Sequence, residues 1–451
     1  MTGPAEILLV ACYELGHQPL SVAWPAAFLE RAGFRPAVMD LSVEAFDADR
    51  VRRARLVAIA VPMHTALRLG VAAASRVRAL NPAAHVCFYG HYAALNADEL
   101  TASGHADSVL AGELEDALVA LARRLEGEGR PPRVSLAKLD FPLPARAGLP
   151  ALKKYAHLDR EGGSHLVGYV EASRGCKHGC RHCPIPPVYG RRFFVVPRDV
   201  VLADIRQQVK AGAAHVTFGD PDFLNGPRHA LHVARALHAE FPTLTFDFTA
   251  KIEHLLAERA HLAELATLGA LFVVSAAESL DDAVLAILDK GHTRADIEEA
   301  LALTRTAGLS LRPTWVAFTP WTTLPGYRDW LDFIASEGLV DATDPVQYAL
   351  RLLVPPGSWL LESPAMRPHL GRLVPGSFHY EWTHPDPRMD ALQAAVAAAV
   401  ASAADRREDA ALTFDRVRAL AAAAAGGSAP GPIGLAPRRA RPPRLSEPWF
   451  C

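Results

Sequence analysis

The sequence predicts an α/β protein in three parts: an N-terminal doubly wound parallel sheet, a partial barrel of six β/α units, and a C-terminal helical region. Three observations predict it. Short apolar, β-rich runs alternate with helical patterns from residue 5 to about 127; the alternation restarts near residue 168; after residue 354 it gives way to an alanine-rich helical stretch. Apolar strands joined by helices are buried on both faces and form parallel sheets. At 451 residues the chain accommodates two or three domains.

Composition narrows the class. Half the chain is apolar and 21% is charged, as in an ordinary globular protein. A net charge of −2 gives no electrostatic footprint for nucleic acid or an anionic membrane. No apolar run approaches the ~20 residues that span a bilayer, and M1-T-G-P-A-E-I-L-L-V10 lacks the basic n-region of a signal peptide. Six cysteines, three of them between residues 176 and 183, fit a reducing compartment rather than a disulfide scaffold. A cytoplasmic enzyme acting on a small molecule is expected, with neither a nucleic-acid nor a membrane partner.

The first domain, residues 1–130, is predicted to carry strands at 6–11, 36–40, 56–61, 85–89 and 108–111, with helices at 20–32, 66–80 and 113–126. In such sheets a ligand binds beyond the carboxyl ends of the strands. Those ends carry residues 12–17, then Met63, His64 and Thr65, then Gly90 and His91, then Gly112 and Glu113. The two glycines fit either a sharp turn or the approach of a flat ligand. No G-x-G-x-x-G follows the first strand, which counts against a dinucleotide. His17, His64 and His91 sit at loop tips, where a lone histidine is more often hydrogen-bonded than metal-bound.

A linker over residues 131–164 leads to the barrel, residues 165–356. Its strands are predicted at 168–173, 215–219, 245–249, 271–276, 311–318 and 347–354, and its helices at 198–211, 227–241, 253–268, 280–289, 294–307 and 327–337. Function in parallel barrels gathers at the carboxyl ends of the strands. Directly after the first strand comes E171-A-S-R-G-C-K-H-G-C-R-H-C183, with Cys176, Cys180 and Cys183 spaced C-x3-C-x2-C. Three thiolates so spaced can hold three irons of a [4Fe–4S] cubane and leave the fourth open. A closed zinc site wants four ligands, usually in cysteine pairs, and the ferredoxin spacings differ from this one. Other strand ends carry charge: Asp220 and Asp222 in F218-G-D-P-D-F223, then Lys251, then Glu278. Arg312 begins the fifth strand, and Arg351 in the sixth reads as an ion-pair residue. A zwitterionic amino acid with a ribose needs both signs of charge.

The cysteine trio, the six-unit TIM-like barrel and the preceding Rossmann-like domain resemble the radical S-adenosylmethionine (SAM) enzymes with an N-terminal cobalamin-binding domain. The resemblance covers roughly residues 7–355. It implies that the open iron binds the amino and carboxylate groups of SAM. One-electron reduction then cleaves the sulfonium and gives a 5′-deoxyadenosyl radical. It implies that His182 approaches the adenine, that Asp220 and Asp222 lie in the segment meeting the methionyl ammonium, and that Glu278, in A276-A-E-S-L-D-D-A-V-L-A-I-L-D-K-G291, lies near the ribose. Lys251 and Arg312 transfer more weakly. An electron donor such as flavodoxin or ferredoxin is implied as a partner. Y89-G-H-Y and A111-G-E-L-E115 resemble glycine-rich loops that hold cobalamin, which nominates Met63, His64, Thr65, Gly90, His91, Gly112 and Glu113. The first strand is followed by Y13-E-L-G-H-Q18 instead of D-x-H-x-x-G, so a histidine lower ligand to cobalt is not supported. The same fold without a corrin stays open.

A helical extension is expected over residues 357–425, then a flexible Pro/Arg-rich tail over residues 426–451. Its ending, E447-P-W-F-C451, resembles the CUAEP/CCAEP-tail group of radical SAM proteins. That resemblance implies a tail thiol at Cys451 and a continuation through selenocysteine or a second cysteine into Ala-Glu-Pro. The expected function is reductive SAM cleavage and radical modification of a small molecule. Transfer of a methyl or aminocarboxypropyl group to carbon or to a soft element such as arsenic or selenium is the alternative. An iron–sulfur or corrinoid redox sensor and a zinc scaffold are the non-enzymatic alternatives.

Overall fold

Near-continuous apolar strands dictate sheets covered on both faces, and two such sheets form in the computed structural model, which describes residues 6–125, 132–160, 163–434, 439 and 441–447. The first runs β1 (Ile7–Ala11), α1 (Leu20–Arg31), β2 (Ala37–Asp40), α2 (Ala48–Arg53), β3 (Leu56–Ala60), α3 (His64–Leu80), β4 (His85–Tyr89), α4 (His91–Leu95), α5 (Ala97–Ala102), β5 (Ser108–Gly112), α6 (Glu115–Arg124) and β6 (Val134–Ser135). Its strand order is β2-β1-β3-β4-β5-β6, all parallel. The order reverses between β1 and β3, and the crevice beyond that switch point is where such sheets bind ligands.

Arg146, in the segment leading to the barrel, ties the two sheets together. Its guanidinium donates to both carboxylate oxygens of Asp204 (2.6 and 2.7 Å), to Gln18 Oε1 (2.8 Å) and to the Tyr169 carbonyl (2.6 Å). Both charges are buried, so the fork must be filled on every side to offset its desolvation.

The second sheet begins with β7 (His157–Arg160) and β8 (Gly163–Val170). There follow β9 (Ser173–Gly175), α7 (Ile185–Tyr189), β10 (Phe193–Val195), α8 (Arg198–Lys210), β11 (His215–Phe218) and α9 (Pro227–Glu240). The series continues with β12 (Thr245–Thr249), α10 (Ile252–Ala257), α11 (Arg259–Thr267), β13 (Ala270–Glu278), α12 (Asp282–Ile287), α13 (Arg294–Ala307), β14 (Ser310–Trp315) and α14 (Leu324–Ser336). Its order is β14-β13-β12-β11-β8 in parallel, extended by antiparallel β7. Val216, Phe246, Phe248 and Val273 face the helices and share one core with Ile205, Val233 and Leu237.

The sixth barrel strand, expected at 347–354, is reduced to one bridge between Phe318 and Arg351. Its start is a 3-10 turn over Pro345–Ala349, and the Gln347 side chain accepts from Trp315 N in place of a neighbouring backbone. Arg351 itself pairs with Asp390 at 2.6 Å and lies 3.5 Å from the centre of the Trp382 ring.

The extension contains a hairpin, β15 (Leu370–Val374) and β16 (His379–Trp382), before helices α15 (Pro387–Asp405) and α16 (Ala410–Ala424). Part of the described tail is packed against the domains, while residues 426–432 are exposed. β17 (Arg444–Leu445) adds to β7, pairing Arg444 with Asp159 and Leu445 with Leu158. Arg439 forks onto Asp341 (2.5 Å) and Asp409 (3.0 Å). Opposite charges and a free strand edge hold what composition alone assigned to solvent. Cys451 lies outside the described residues. Among the described residues no helix is long and apolar enough to cross a membrane.

Candidate active site

The cysteine loop leaves the carboxyl end of β8 and is closed by the β9–β10 hairpin, in which Phe193 pairs with Gly175. Gly175 has φ +72°, and a Cβ there would meet the Arg192 carbonyl at 2.4 Å, so only glycine lets the hairpin close beside Cys176. Cys176, Cys180 and Cys183 are free thiols; Cys180 is buried and the others half-buried. Burial pushes the Cys183 thiol up, and the Cys180 and Cys176 sulfurs push it further; burial raises Cys176 as well. Crowded thiols of this kind become thiolates when cations come in.

A single tetrahedral zinc would draw three sulfurs to ~3.8 Å of one another. Among the described residues, the group with ligand atoms all within 4.8 Å is instead His178, Asp222 and His254. The three sulfurs are not all within 4.8 Å of one another, which is compatible with one iron per thiolate.

Glu278 ends β13 with φ +67°, at a register shift in its pairing with β14. This left-handed turn is costly for a residue with a Cβ and is found where function demands it. It brings the carboxylate onto Lys290 Nζ (3.2 Å) and His182 Nε2 (3.0 Å). Burial alone raises a carboxyl, but Lys290 and then His182 outweigh it and hold Glu278 down at about 2. Burial likewise works against the Lys290 ammonium, yet Glu278 and the Cys180 sulfur hold it above its usual value. A buried cation thus sits against the Glu278 carboxylate, within electrostatic reach of the Cys180 and Cys183 sulfurs. A cavity of ≈ 270 Å³ opens beside Glu278, lined by Ser279, Asp281, Val316, Thr323 and Tyr327 beyond the ends of β13 and β14.

Asp220 and Asp222 turn inward. Asp220 accepts from Ala172 N (2.9 Å) and from the Ser173 hydroxyl, pinning the backbone ahead of the cysteines. Asp222 accepts from Leu224 N (3.1 Å) through one oxygen and from His254 Nδ1 (2.6 Å) through the other. His254 Nε2 faces His178 Nε2 at 3.1 Å, and Lys251 Nζ lies 2.9 Å from His178 Nδ1. Lysine only donates, so His178 accepts at Nδ1 and carries its proton on Nε2. It therefore donates to His254 Nε2, which carries its own proton on Nδ1 toward Asp222. Both imidazole lone pairs in this chain are used, and Lys251 adds a positive charge, so the group suits a hydrogen-bond chain better than a bound cation.

Arg312 stands apart from these residues. It lies in the first half of β14, 3.3 Å from Asp344 and beside the Phe272 ring, away from the strand ends. The strand register places Arg312 opposite Val274, apart from Glu278 and His182.

In the first domain, His64 Nε2 bonds to the Ser377 carbonyl (2.8 Å), so the β15–β16 hairpin flanks Met63, His64 and Thr65. His91 packs edge-on to Tyr189 at 5.7 Å, and Glu113 Oε1 accepts from Tyr189 OH at 2.9 Å. Cβ atoms on Gly90 and Gly112 would meet the Val61 carbonyl at 2.9 Å and the Ser135 carbonyl at 2.2 Å. Those glycines are required by the fold before any ligand arrives. His17 is stacked on Tyr169 at 4.4 Å and buried, facing the barrel.

Sequence reasoning did not single out Lys290, His254 or Arg174. Arg174 joins Glu115 (2.7 Å) and Glu171 (3.0 Å) between the domains. The only signal for Lys290 was its place in K-G after the Glu278 stretch. For Arg174 and His254 spacing carried none, because Glu115 and Asp222 are remote from them in the chain.

Residues 170–322 match the Radical SAM superfamily model. The chain is 27% identical over 326 residues to the hopanoid C-3 methylase of Methylococcus capsulatus (strain Bath), covering 67% of this chain and 62% of that protein. It thus spans about three-fifths of that relative's length. The cobalamin-dependent SAM radical enzyme OxsB with aqua-cobalamin bound superposes with a TM-score of 0.63 at 14% identity, covering 87% of this chain and 66% of that one. The radical SAM methyltransferase TsrM from Kitasatospora setae, with cobalamin and a [4Fe–4S] cluster bound, gives 0.56 at 17% identity, covering 74% and 70%. Both structural likenesses establish the fold: a parallel sheet followed by a half-barrel.

Proposed function

We propose a reaction for what is, over residues 170–322, a radical SAM enzyme: cobalamin-dependent transfer of a methyl group from SAM to a small molecule. A [4Fe–4S] cluster and SAM are its cofactors. In this reading Cys176, Cys180 and Cys183 hold the cluster, and SAM lies along Glu278 and His182 with the ≈ 270 Å³ cavity beside it. When bound, the cluster supplies an open iron for the amino and carboxylate groups of SAM and the electron that breaks its carbon–sulfur bond.

One observation carries the reading: the segment of the cysteine loop touches Glu278 through His182 and the loop ends of the first sheet, Glu113 and His91, through Tyr189. The residues present also suit a corrin. His91 Nδ1, Glu113 Oε2 and Glu115 Oε2 are buried at those loop ends without hydrogen-bond partners. The amide side chains of cobalamin donate and accept hydrogen bonds, which such orphaned atoms need. Met63, His64, Thr65, Gly90, His91 and Gly112 complete the rim, and cobalamin supplies a soft metal centre for moving the methyl group. The methylase and methyltransferase likenesses support methyl transfer over other radical outcomes. For the reductant, Lys177, Arg191 and Arg192 are exposed basic residues within and just after the cysteine loop. They suit an acidic carrier such as flavodoxin or ferredoxin in the cytoplasm.

The test is product analysis on anaerobically reduced, cluster- and cobalamin-loaded enzyme. S-adenosylhomocysteine alongside 5′-deoxyadenosine is expected. 5′-Deoxyadenosine alone would remove the methyl transfer, methylthioadenosine would indicate aminocarboxypropyl transfer, and no SAM cleavage would leave a redox sensor. Cys180→Ala should abolish all of these products.

A further inference from the structure

The cysteine loop runs on past Cys183 through P184-I-P-P-V-Y189, where three prolines fix their own backbone φ and stiffen the turn. That turn, α7, closes on Gly190 in the left-handed conformation, φ +57°. It returns Tyr189 to the start of the loop. A Cβ on Gly175, the residue before Cys176, would meet Tyr189 Cδ1 at 2.7 Å. Tyr189, 2% exposed, is thus tied to the cysteine loop at both of its ends.

The same side chain reaches the first sheet. Val188 and Tyr189 share a small apolar core with Ala111 of β5. The Tyr189 hydroxyl donates to Glu113 Oε1 at 2.9 Å, and its ring meets His91 edge-on at 5.7 Å. Glu113 is fully buried. Arg174 stands 3.8 Å from its Oε2, too far for a hydrogen bond, and among the described residues that oxygen has no hydrogen-bond partner. The tyrosine hydroxyl therefore fixes where this carboxylate lies.

We propose that Tyr189 is a positioning residue that couples the cysteine loop to the corrin site, so that a protein holding its cluster binds cobalamin more tightly than one without it. Taking up the metal orders the loop that bears the thiolates. Its stiff exit then holds Tyr189, and with it Glu113 and His91, before the corrin arrives. The second ligand meets a site already ordered by the first. Linkage makes the effect reciprocal: cobalamin must strengthen retention of the cluster by the same factor. The inference rests on the proposed corrin site at the loop ends of the first sheet and goes beyond it by naming what links that site to the cluster.

The experiment measures the dissociation constant of hydroxocobalamin by anaerobic equilibrium dialysis, on the full chain with and without its reconstituted cluster. The cluster should tighten binding about ten-fold in the wild type, the worth of one hydrogen bond to a charged group. Tyr189→Phe keeps the ring against Gly175 and His91 and removes the bond to Glu113. In that variant the ratio of the two constants should fall to about one. A purely structural role would weaken binding in both states and leave the ratio unchanged, which would overturn the proposal. Equal constants in the wild type would overturn it without any variant. Failure of the wild type to bind hydroxocobalamin in either state would remove the corrin site itself, and the coupling with it.

Discussion

Glu278 shows how single residues build this site. Its φ of +67° costs stability of order 1–3 kcal/mol at a non-glycine residue, and the return is a carboxylate held against both Lys290 and His182. Lys290 makes that arrangement tolerable, since both side chains are buried. Lys290→Met fills the same space and removes the charge, leaving Glu278 ionised with only a histidine beside it. Breaking one side of a buried pair costs about 3–5 kcal/mol. Urea unfolding should show that loss for Lys290→Met. The double variant Lys290→Met/Glu278→Gln should be the milder one, because no uncompensated charge remains. A single variant as stable as the double would show that the pair is not electrostatically coupled.

Elements were legible where local physics fixes them and illegible where distant chain completes them. The first sheet reads from apolar runs because strands such as β1 and β3 are buried along their whole length. The cysteine loop reads from spacing because its three cysteines lie between residues 176 and 183. The sixth barrel strand did not, because Gln347 replaces a backbone partner with a side chain. β17 did not, because Pro- and Arg-rich composition conceals that Asp159 pairs with Arg444, and Asp341 and Asp409 with Arg439 just ahead of it. Of the site, Glu278 was legible and its cation was not, since only folding brings Lys290 to it. Gly112 tests the difference between fold and ligand at the level of an element. With φ +76° and a Cβ that would meet the Ser135 carbonyl at 2.2 Å, Gly112→Ala should part β5 from β6. A loss of about 2–4 kcal/mol is expected from left-handed strain plus the displaced strand. It should appear as a lowered melting temperature without cobalamin present. If Gly112→Ala melted like wild type and lost only cobalamin binding, the glycine would serve the ligand and not the fold.

The whole molecule holds its two sheets in register by burying polar groups between them. Arg146 fills its donors across that boundary, while His17 crosses it as a neutral ring stacked on Tyr169. Burial drives the His17 imidazole down to about 4, with the nearby Asp247 opposing and His215 reinforcing the shift. Its ordinary value is near 6.5, so between about 6.5 and 4 the unfolded chain takes up a proton that the folded protein refuses. Stability from this group is therefore complete above pH 6.5 and falls as the solution is acidified through that window. The loss reaches roughly 2 kcal/mol by pH 5 at about 1.4 kcal/mol per pH unit. His91, also held at about 4 by burial and then by Arg174, adds in the same direction at the other end of the interface. His17→Phe keeps a ring against Tyr169 and removes the titration. Denaturant unfolding of both proteins at pH 7.5 and pH 5 should then show a smaller acid-induced loss in the variant. The difference belongs to the contact between sheets, so limited proteolysis in the 131–164 segment should rise on acidification in wild type and less so in His17→Phe. Equal acid losses in the two proteins would mean that His17 takes up its proton without parting from Tyr169, and that the other contacts between the sheets, those of Arg146 and Arg174 among them, hold them together.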